Sequence, residues 1–230
     1  MRLHDRPPAF TWNSQARLLD EVADVLRERI YAGTYRPGDV LRQESLATEF
    51  GISRTPLREA LRVLERDGLV HHQAGRGVKV ASADRARLLD AYALREVVDG
   101  LAARFAAERA DRATIEALDG LVARQVEIVA PWEPRVYTQS NVDFHLAVIA
   151  AARNEFLDTH IPLVRMTSQV FTPAYSLSLD RALQGIGEHR HIVEAIAAGD
   201  GAAAERLARA HIRETMTRLT RDVPTGEETS

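Results

Sequence analysis

The chain has 230 residues, 45% of them hydrophobic and 6% aromatic, with a net charge of −3 and no cysteine. That length suits two modest domains, and the missing cysteines exclude disulfides and thiolate metal sites. No apolar run reaches the ~18 residues of a membrane span, and Met1–Pro8 lacks the apolar core of a secretory signal, so a cytoplasmic protein with no membrane partner is expected.

The first element is a helix over Ser14–Tyr31, whose apolar residues Leu18, Leu19, Val22, Val25, Leu26 and Ile30 recur at helical spacing. Gly33 ends it, and Arg36-Pro37-Gly38-Asp39 reads as a turn. A short helix over Gln43–Phe50 follows, burying Leu46 and Phe50. Gly51-Ile52-Ser53 forms a tight turn that places Ser53 to cap a third helix. Pro56 is tolerated in its first turn, where amides have no intrahelical acceptor. Leu57, Ala60, Leu61 and Leu64 form the buried face of this helix, and Asp67-Gly68 stops it. Leu69–Gln73 and Val78–Ala81, around a glycine-rich turn, read as a β-hairpin.

Beyond Ser82 the pattern is helical throughout, with helices expected at Arg85–Ala110, Ala113–Val129, Arg135–Ala152, Glu155–Ser176, Leu179–Ala198 and Ala202–Arg221. Gly199 suits a helix stop and Asp200 the cap of the last helix. The expected fold is therefore mostly α. A winged helix-turn-helix of three helices and a hairpin spans 8–82, an all-α bundle spans 83–222, and 223–230 forms a disordered tail.

Charge divides along the chain. Through Asp84 there are 13 basic residues against 12 acidic ones, and thereafter 17 against 21; between Ser53 and Val80 there are six basic against three acidic. Positive charge is thus concentrated around the third helix, as a local DNA footprint requires. An α-helix fits the major groove, where every base pair shows a distinct donor and acceptor pattern. With the leucine face buried, the opposite face shows Arg54, Thr55, Arg58 and Arg62. Arg54 and Arg58 lie one turn apart, and each can hold guanine O6 and N7 with two hydrogen bonds. Ser53 and Thr55 at the helix start suit phosphate contacts. Gly75 and Arg76 form the wing tip, where glycine lets backbone approach DNA. An Arg-x-x-x-Arg pair alone is an ordinary solvated helix face; the surrounding plan gives it meaning.

Gly33-x-x-x-Pro37-Gly38-Asp39-x-Leu41, Leu46-Ala47, Gly51-Ile-Ser-Arg-Thr-Pro-Leu-Arg-Glu-Ala-Leu61, Asp67-Gly-Leu69 and Gly75-Arg-Gly77 together resemble the GntR family of regulators. The resemblance implies that Arg54, Thr55, Arg58 and the wing glycine touch an operator. Glu44 departs from the pattern, because some members carry a DNA-contacting arginine there. The second half resembles the FadR-like branch, whose helical ligand domain is called FCD. Arg95-Glu-Val-Val-Asp99, Asn141-Val-Asp-Phe-His145, Ala152-Arg-Asn154, Glu188-His189 and His211 carry this second match.

In that branch a divalent metal is often held by a carboxylate and a histidine one turn apart plus two later histidines, positions that fall on Asn141, His145, His189 and His211. Asn141 and His145 share a helix face as i and i+4. Asp143 points about 200° away from His145 and cannot join the same ion. A neutral amide in place of aspartate weakens the site, while three imidazoles still favour zinc or nickel.

The resemblance further implies a small carboxylate effector, with Arg95 as a bidentate clamp and Arg165 as a second candidate. A salt bridge within the bundle is the competing role for each. The expected function is a sequence-specific transcriptional regulator, in the repressing sense, acting as a homodimer on a palindromic operator in double-stranded DNA. The alternatives are a sensor for which the metal is itself the signal, and a metal-dependent hydrolase. Against the latter, no HExxH or adjacent general base is present, so an enzyme is not expected.

Overall fold

The computed structural model describes residues 10–73, 77–171 and 177–221. The chain divides between Ser82 and Ala83 into two compact units. The first holds α1 (Phe10–Tyr31), α2 (Gln43–Phe50), α3 (Arg54–Arg66) and a three-stranded antiparallel sheet of β1 (Val40–Leu41), β2 (Val70–Gln73) and β3 (Gly77–Val80).

Val22, Leu26 and Ile30 line the buried side of α1, which packs on α3. Pro56, Leu57, Ala60, Leu61 and Leu64 are the buried residues of α3. Leu57, Leu61 and Leu64 are fully buried, and each contributes roughly 1.5–3 kcal/mol relative to an exposed position. That burial outweighs a defect at the helix start. Ser53 occupies the capping position with extended backbone, yet its hydroxyl makes no capping bond. A cap hydroxyl bonds the second or third helical amide, and the third residue here is Pro56, which has none. The expected side-chain cap is a correction: Ser53 occupies the N-cap position, Pro56 leaves only the Thr55 amide as a possible donor, and the hydroxyl makes no such bond and is exposed.

Gly51 adopts φ 63°, and its left-handed turn lets the Gly51 and Ile52 amides reach back to α2 carbonyls. Arg27 of α1 ion-pairs with Asp67 at the end of α3 at 2.9 Å. Glu65 accepts the His72 amide at 3.0 Å and faces His72 Nδ1 at 2.8 Å, tying α3 to β2. The hairpin pairs Val70 with Val80 and Gln73 with Gly77. β1, two residues long and not foreseen, adds to the other edge of β3 through Val40–Lys79 and Leu41–Val78. Gly75 and Arg76, the expected wing tip, lie outside the described residues, as does the expected tail.

The second unit holds α4 (Arg85–Arg109), α5 (Arg112–Ile128), α6 (Pro134–Ala151), α7 (Glu155–Asp158), α8 (Ile161–Arg165), α9 (Leu179–Ala197) and α10 (Gly201–Arg221). Asp84 caps α4, Asp111 caps α5 and Ser178 caps α9, each accepting an amide in the following turn. Asp200 accepts the Ala203 amide at 2.9 Å after Gly199 turns at φ 70°. The core is built from small and aliphatic side chains of these helices, among them Ala102, Ala103, Ala106, Leu118, Ile149 and Ile196.

One expected helix is broken. The stretch from Glu155 divides into α7 and α8, followed by a π-helical turn, Met166–Phe171; residues 172–176 lie outside the described set. Pro162 is the cause of the first break, because it cannot donate to the preceding turn and so starts a new helix. The π turn swings the hydroxyls of Thr167 and Ser168 inward, to 3.2 and 2.9 Å from Arg95 Nη1.

Candidate functional site

In the first unit α3 carries the side chains expected from the sequence to face DNA. Arg54, Thr55, Arg58 and Arg62 are all exposed on the face opposite the leucines. Arg54 Nη2 pairs with Glu44 Oε1 at 2.7 Å and Arg62 Nη1 with Glu59 Oε1 at 2.6 Å. Both pairs sit in solvent, where such contacts contribute little and yield to a phosphate or base. Arg58 makes no ion pair among the described residues. Glu44 thus engages Arg54 in this structure.

In the second unit three histidines from three helices converge: His145 of α6, His189 of α9 and His211 of α10. Each offers a ring nitrogen within 4.8 Å of the others, and all three are buried. Ring centroids lie 5.4, 5.2 and 4.7 Å apart, and Phe144 stacks on His189 at 4.0 Å.

The Nδ1 of each ring has an oxygen partner. His145 Nδ1 faces Asp99 Oδ1 at 3.1 Å, and His211 Nδ1 faces Glu188 Oε2 at 2.6 Å. Gln125 Nε2 donates to the Ser140 carbonyl at 3.1 Å, which turns Gln125 Oε1 toward His189 Nδ1 at 2.8 Å. Oxygens of this kind only accept, so Nδ1 of each ring carries the proton and Nε2 keeps its lone pair. The Nε2 of His189 is buried and has no hydrogen-bond partner among the described residues. Such an atom is costly unless something binds it.

Electrostatics agrees with that protonation. Burial pushes His145 down to about 4, against the opposing pull of Asp99. His189 is pushed well below its ordinary value by burial and by the neighbouring cations and histidines. Burial also lowers His211, although Glu188 opposes it. Neutral imidazoles are the form that binds metal. Each ring is oriented through its second nitrogen, as in metal sites generally.

Asp99 stands behind this cluster. Burial disfavours its charge, but Arg95 and His145 outweigh that and hold it well below the usual carboxylate range. Arg95, itself buried, binds Asp99 through Nε at 3.0 Å and Nη2 at 3.4 Å. Its third nitrogen takes the Thr167 and Ser168 hydroxyls. The salt-bridge role considered for Arg95 is the one its contacts display. Arg95→Met strands a buried carboxylate, so unfolding is expected to cost about 3–5 kcal/mol less. Urea denaturation followed by circular dichroism checks this, and a loss under ~1 kcal/mol would contradict the buried-pair account.

A cavity of about 360 Å³ opens beside the histidines. Leu88, Tyr92, Phe171, Leu177 and Ile212 give it apolar walls, and Arg95, Asn141, His145, Arg181 and His211 are among its polar lining. Asn141 lies one turn before His145 on α6, whereas Asp143 is engaged by Gln139 Nε2 at 2.8 Å. Arg165 at the end of α8 is not among the lining residues. Arg181, which sequence reading did not single out, is. It is buried on α9 and bonds Glu188 Oε2 at 3.0 Å and Thr215 Oγ1 at 3.2 Å. Its one sequence signal is a basic residue in the apolar stripe of α9.

The first unit has the winged helix-turn-helix plan, and the second is a helical bundle enclosing a cavity of small-molecule size. Residues 18–80 match the bacterial regulatory proteins of the gntR family, and residues 90–214 match the FCD domain. The chain therefore belongs to the GntR family of transcriptional regulators, in its FCD-containing branch, and its first unit is a DNA-binding domain. It is 30% identical to the HTH-type transcriptional regulator LutR of Bacillus subtilis, over 78% of this chain and 91% of the relative. With the galactonate operon transcriptional repressor of Escherichia coli it shares 29% identity over 87% of this chain and 96% of that one. Among solved structures, Escherichia coli McbR/YncC superposes with a TM-score of 0.77 at 19% identity, covering 89% of this chain and 97% of that one, a likeness of fold. Among the described residues no helix is long and apolar enough to cross a membrane.

Proposed function

We propose that the chain is a repressor that binds a palindromic operator as a homodimer, and that a small organic carboxylate seated beside a divalent ion controls this binding. The observation that carries the reading is the buried His189 Nε2, without a partner among the described residues and set among two further imidazoles whose Nδ1 atoms are likewise occupied. His145, His189 and His211 would hold zinc or nickel, with the Asn141 amide as a neutral fourth donor. When bound, the ion supplies an open position for a carboxylate oxygen. The chain's own residues do the rest. Arg181, with Arg95 behind it, provides positive charge at the cavity wall, while Leu88, Tyr92 and Ile212 exclude water from the ligand's carbon skeleton.

A cavity of about 360 Å³ is far larger than an ion needs, which favours an organic effector over a sensor for metal alone. The name of the galactonate operon repressor supports a sugar-acid type of carboxylate. In α3, Arg54 and Arg58 would read guanines, Arg62 would follow the backbone, and Ser53 and Thr55 would take phosphates. Gly75 and Arg76 would approach the adjacent groove.

A ligand shifts operator affinity only through unequal affinity for the two states, typically by about 5- to 150-fold. Fluorescence anisotropy with a labelled operator tests this, using metal-stripped protein, protein with zinc, and zinc with a panel of hydroxy-acids. A shift in that range is expected only when zinc and a carboxylate are both present. A shift with zinc alone would replace the reading by metal sensing. Recovery of a chemically altered acid would replace it by hydrolysis.

A further inference from the structure

Arg181 of α9 and His211 of α10 draw on the same atom. Glu188 Oε2 accepts from Arg181 Nη1 at 3.0 Å and from His211 Nδ1 at 2.6 Å. Arg181 and His211 line the cavity, whereas Glu188 is not among the lining residues. Arg181 and Glu188 lie two turns apart on one face of α9, and Gly185 sits between them on that face. A Cβ at Gly185 would come 2.9 Å from Tyr137 Oη and 3.3 Å from Arg181 Nη1. The glycine therefore keeps open the path by which the guanidinium crosses to Glu188. Thr215 Oγ1 takes Arg181 Nη2 at 3.2 Å and fixes the other arm of the fork.

The neighbouring pair is built differently. Asp99 holds Arg95 Nε through Oδ2 at 3.0 Å and faces His145 with Oδ1. Arg95 is 1% exposed, and two hydroxyls occupy its Nη1, so this cation is committed to the fold. Arg181 and Glu188 keep 10% and 23% side-chain exposure. Two donors on one carboxylate oxygen divide its charge between them, and what Arg181 takes His211 loses. A histidine whose Nδ1 proton is held less firmly is the weaker metal ligand through Nε2.

We propose that Arg181 restrains the metal centre through Glu188, and that a carboxylate engaging Arg181 lifts the restraint, so that acid and ion tighten each other. The inference rests on the metal-and-carboxylate reading above and assigns its coupling. A carboxylate matches the guanidinium fork with two hydrogen bonds. Once Arg181 turns to it, Glu188 is left to His211 alone. The gain is reciprocal: whatever factor the acid adds to metal affinity, the metal adds to acid affinity.

Zinc affinity of the full chain, titrated against a chelating dye with zinc as the only added ligand, tests the restraint. Arg181→Met is expected to bind zinc roughly 5-fold tighter or more, the lower end of couplings between linked sites. Glu188→Gln should bind it about 10- to 100-fold more weakly, as loss of a histidine's oxygen partner does. In that background Arg181→Met should lose most of its effect. If circular dichroism finds Arg181→Met unfolded, Gly185→Ala with Tyr137→Phe replaces it. That pair keeps the charge of Arg181, moves its Nη1 off Glu188, and should likewise gain zinc affinity.

Acetate, a bare carboxylate head group, tests the release. It should raise the zinc affinity of the wild type and raise that of Arg181→Met less. Unchanged or weaker zinc binding in Arg181→Met overturns the restraint, and an equal gain with and without Glu188 overturns the relay. An acetate effect of the same size in both proteins, or none in the wild type, overturns the release. A wild type that binds no zinc overturns the metal reading itself.

Discussion

Arg58→Ala is expected to weaken binding to a cognate operator by roughly 5- to 150-fold, the ~1–3 kcal/mol of one bidentate guanine contact. Arg54→Ala should fall in the same range, reduced by the cost of drawing Arg54 away from Glu44 in the wild type. The double variant should bind its operator no better than unrelated DNA. The fold should survive in each case, because both side chains are exposed and the fully buried Leu57, Leu61 and Leu64 carry the packing of α3. Anisotropy with specific and scrambled duplexes at one fixed salt concentration separates this loss from the general electrostatic term. A loss that is equal on both duplexes would make these arginines phosphate contacts only.

His189→Ala is expected to abolish stoichiometric metal binding, and Gln125→Leu to lower metal affinity by about 10–100-fold. The second variant leaves every proposed ligand in place and removes the oxygen that receives the His189 Nδ1 proton, together with the Nε2 donor to the Ser140 carbonyl. A histidine without that partner is free to rotate or change tautomer, and its Nε2 lone pair is no longer held toward the cluster. Metal content measured on protein purified without chelator checks both. Unchanged content in His189→Ala would remove His189 from the site, and unchanged affinity in Gln125→Leu would make the glutamine a packing residue.

Local pattern carried much of the fold. Gly51, Asp67-Gly68, Gly199 and Asp200 act at the termini where their backbone preferences place them, since turn and cap chemistry is written within three or four residues. β1 escaped because two residues, Val40 and Leu41, show no period; it exists only because β3 offers it an edge. The helix expected from Glu155 to Ser176 overlooked Pro162, whose missing amide ends one helix and begins another. Ser53 shows the limit of reading positions singly, because Pro56 three residues on removes one of the two amides its hydroxyl could bond.

At the buried site the family resemblance singled out the histidines, whereas it assigned their supports no role. Gln125 reaches His189 from α5, Asp99 reaches His145 from α4, and Arg181 reaches Glu188 across two turns of α9. The first two are pairings between helices far apart in the chain, which no local period reveals. Arg95 and Arg165 looked alike as cations in the sequence, yet packing buries one behind Asp99 and leaves the other off the cavity wall.

Methylation interference on an operator duplex tests the groove assignment most directly. Wild-type protein should lose binding when particular guanine N7 atoms in each half-site are methylated, and Arg58→Ala should become indifferent to one of them. If no guanine methylation weakens the wild type, or if the variant keeps the wild-type pattern, α3 does not read bases in the major groove.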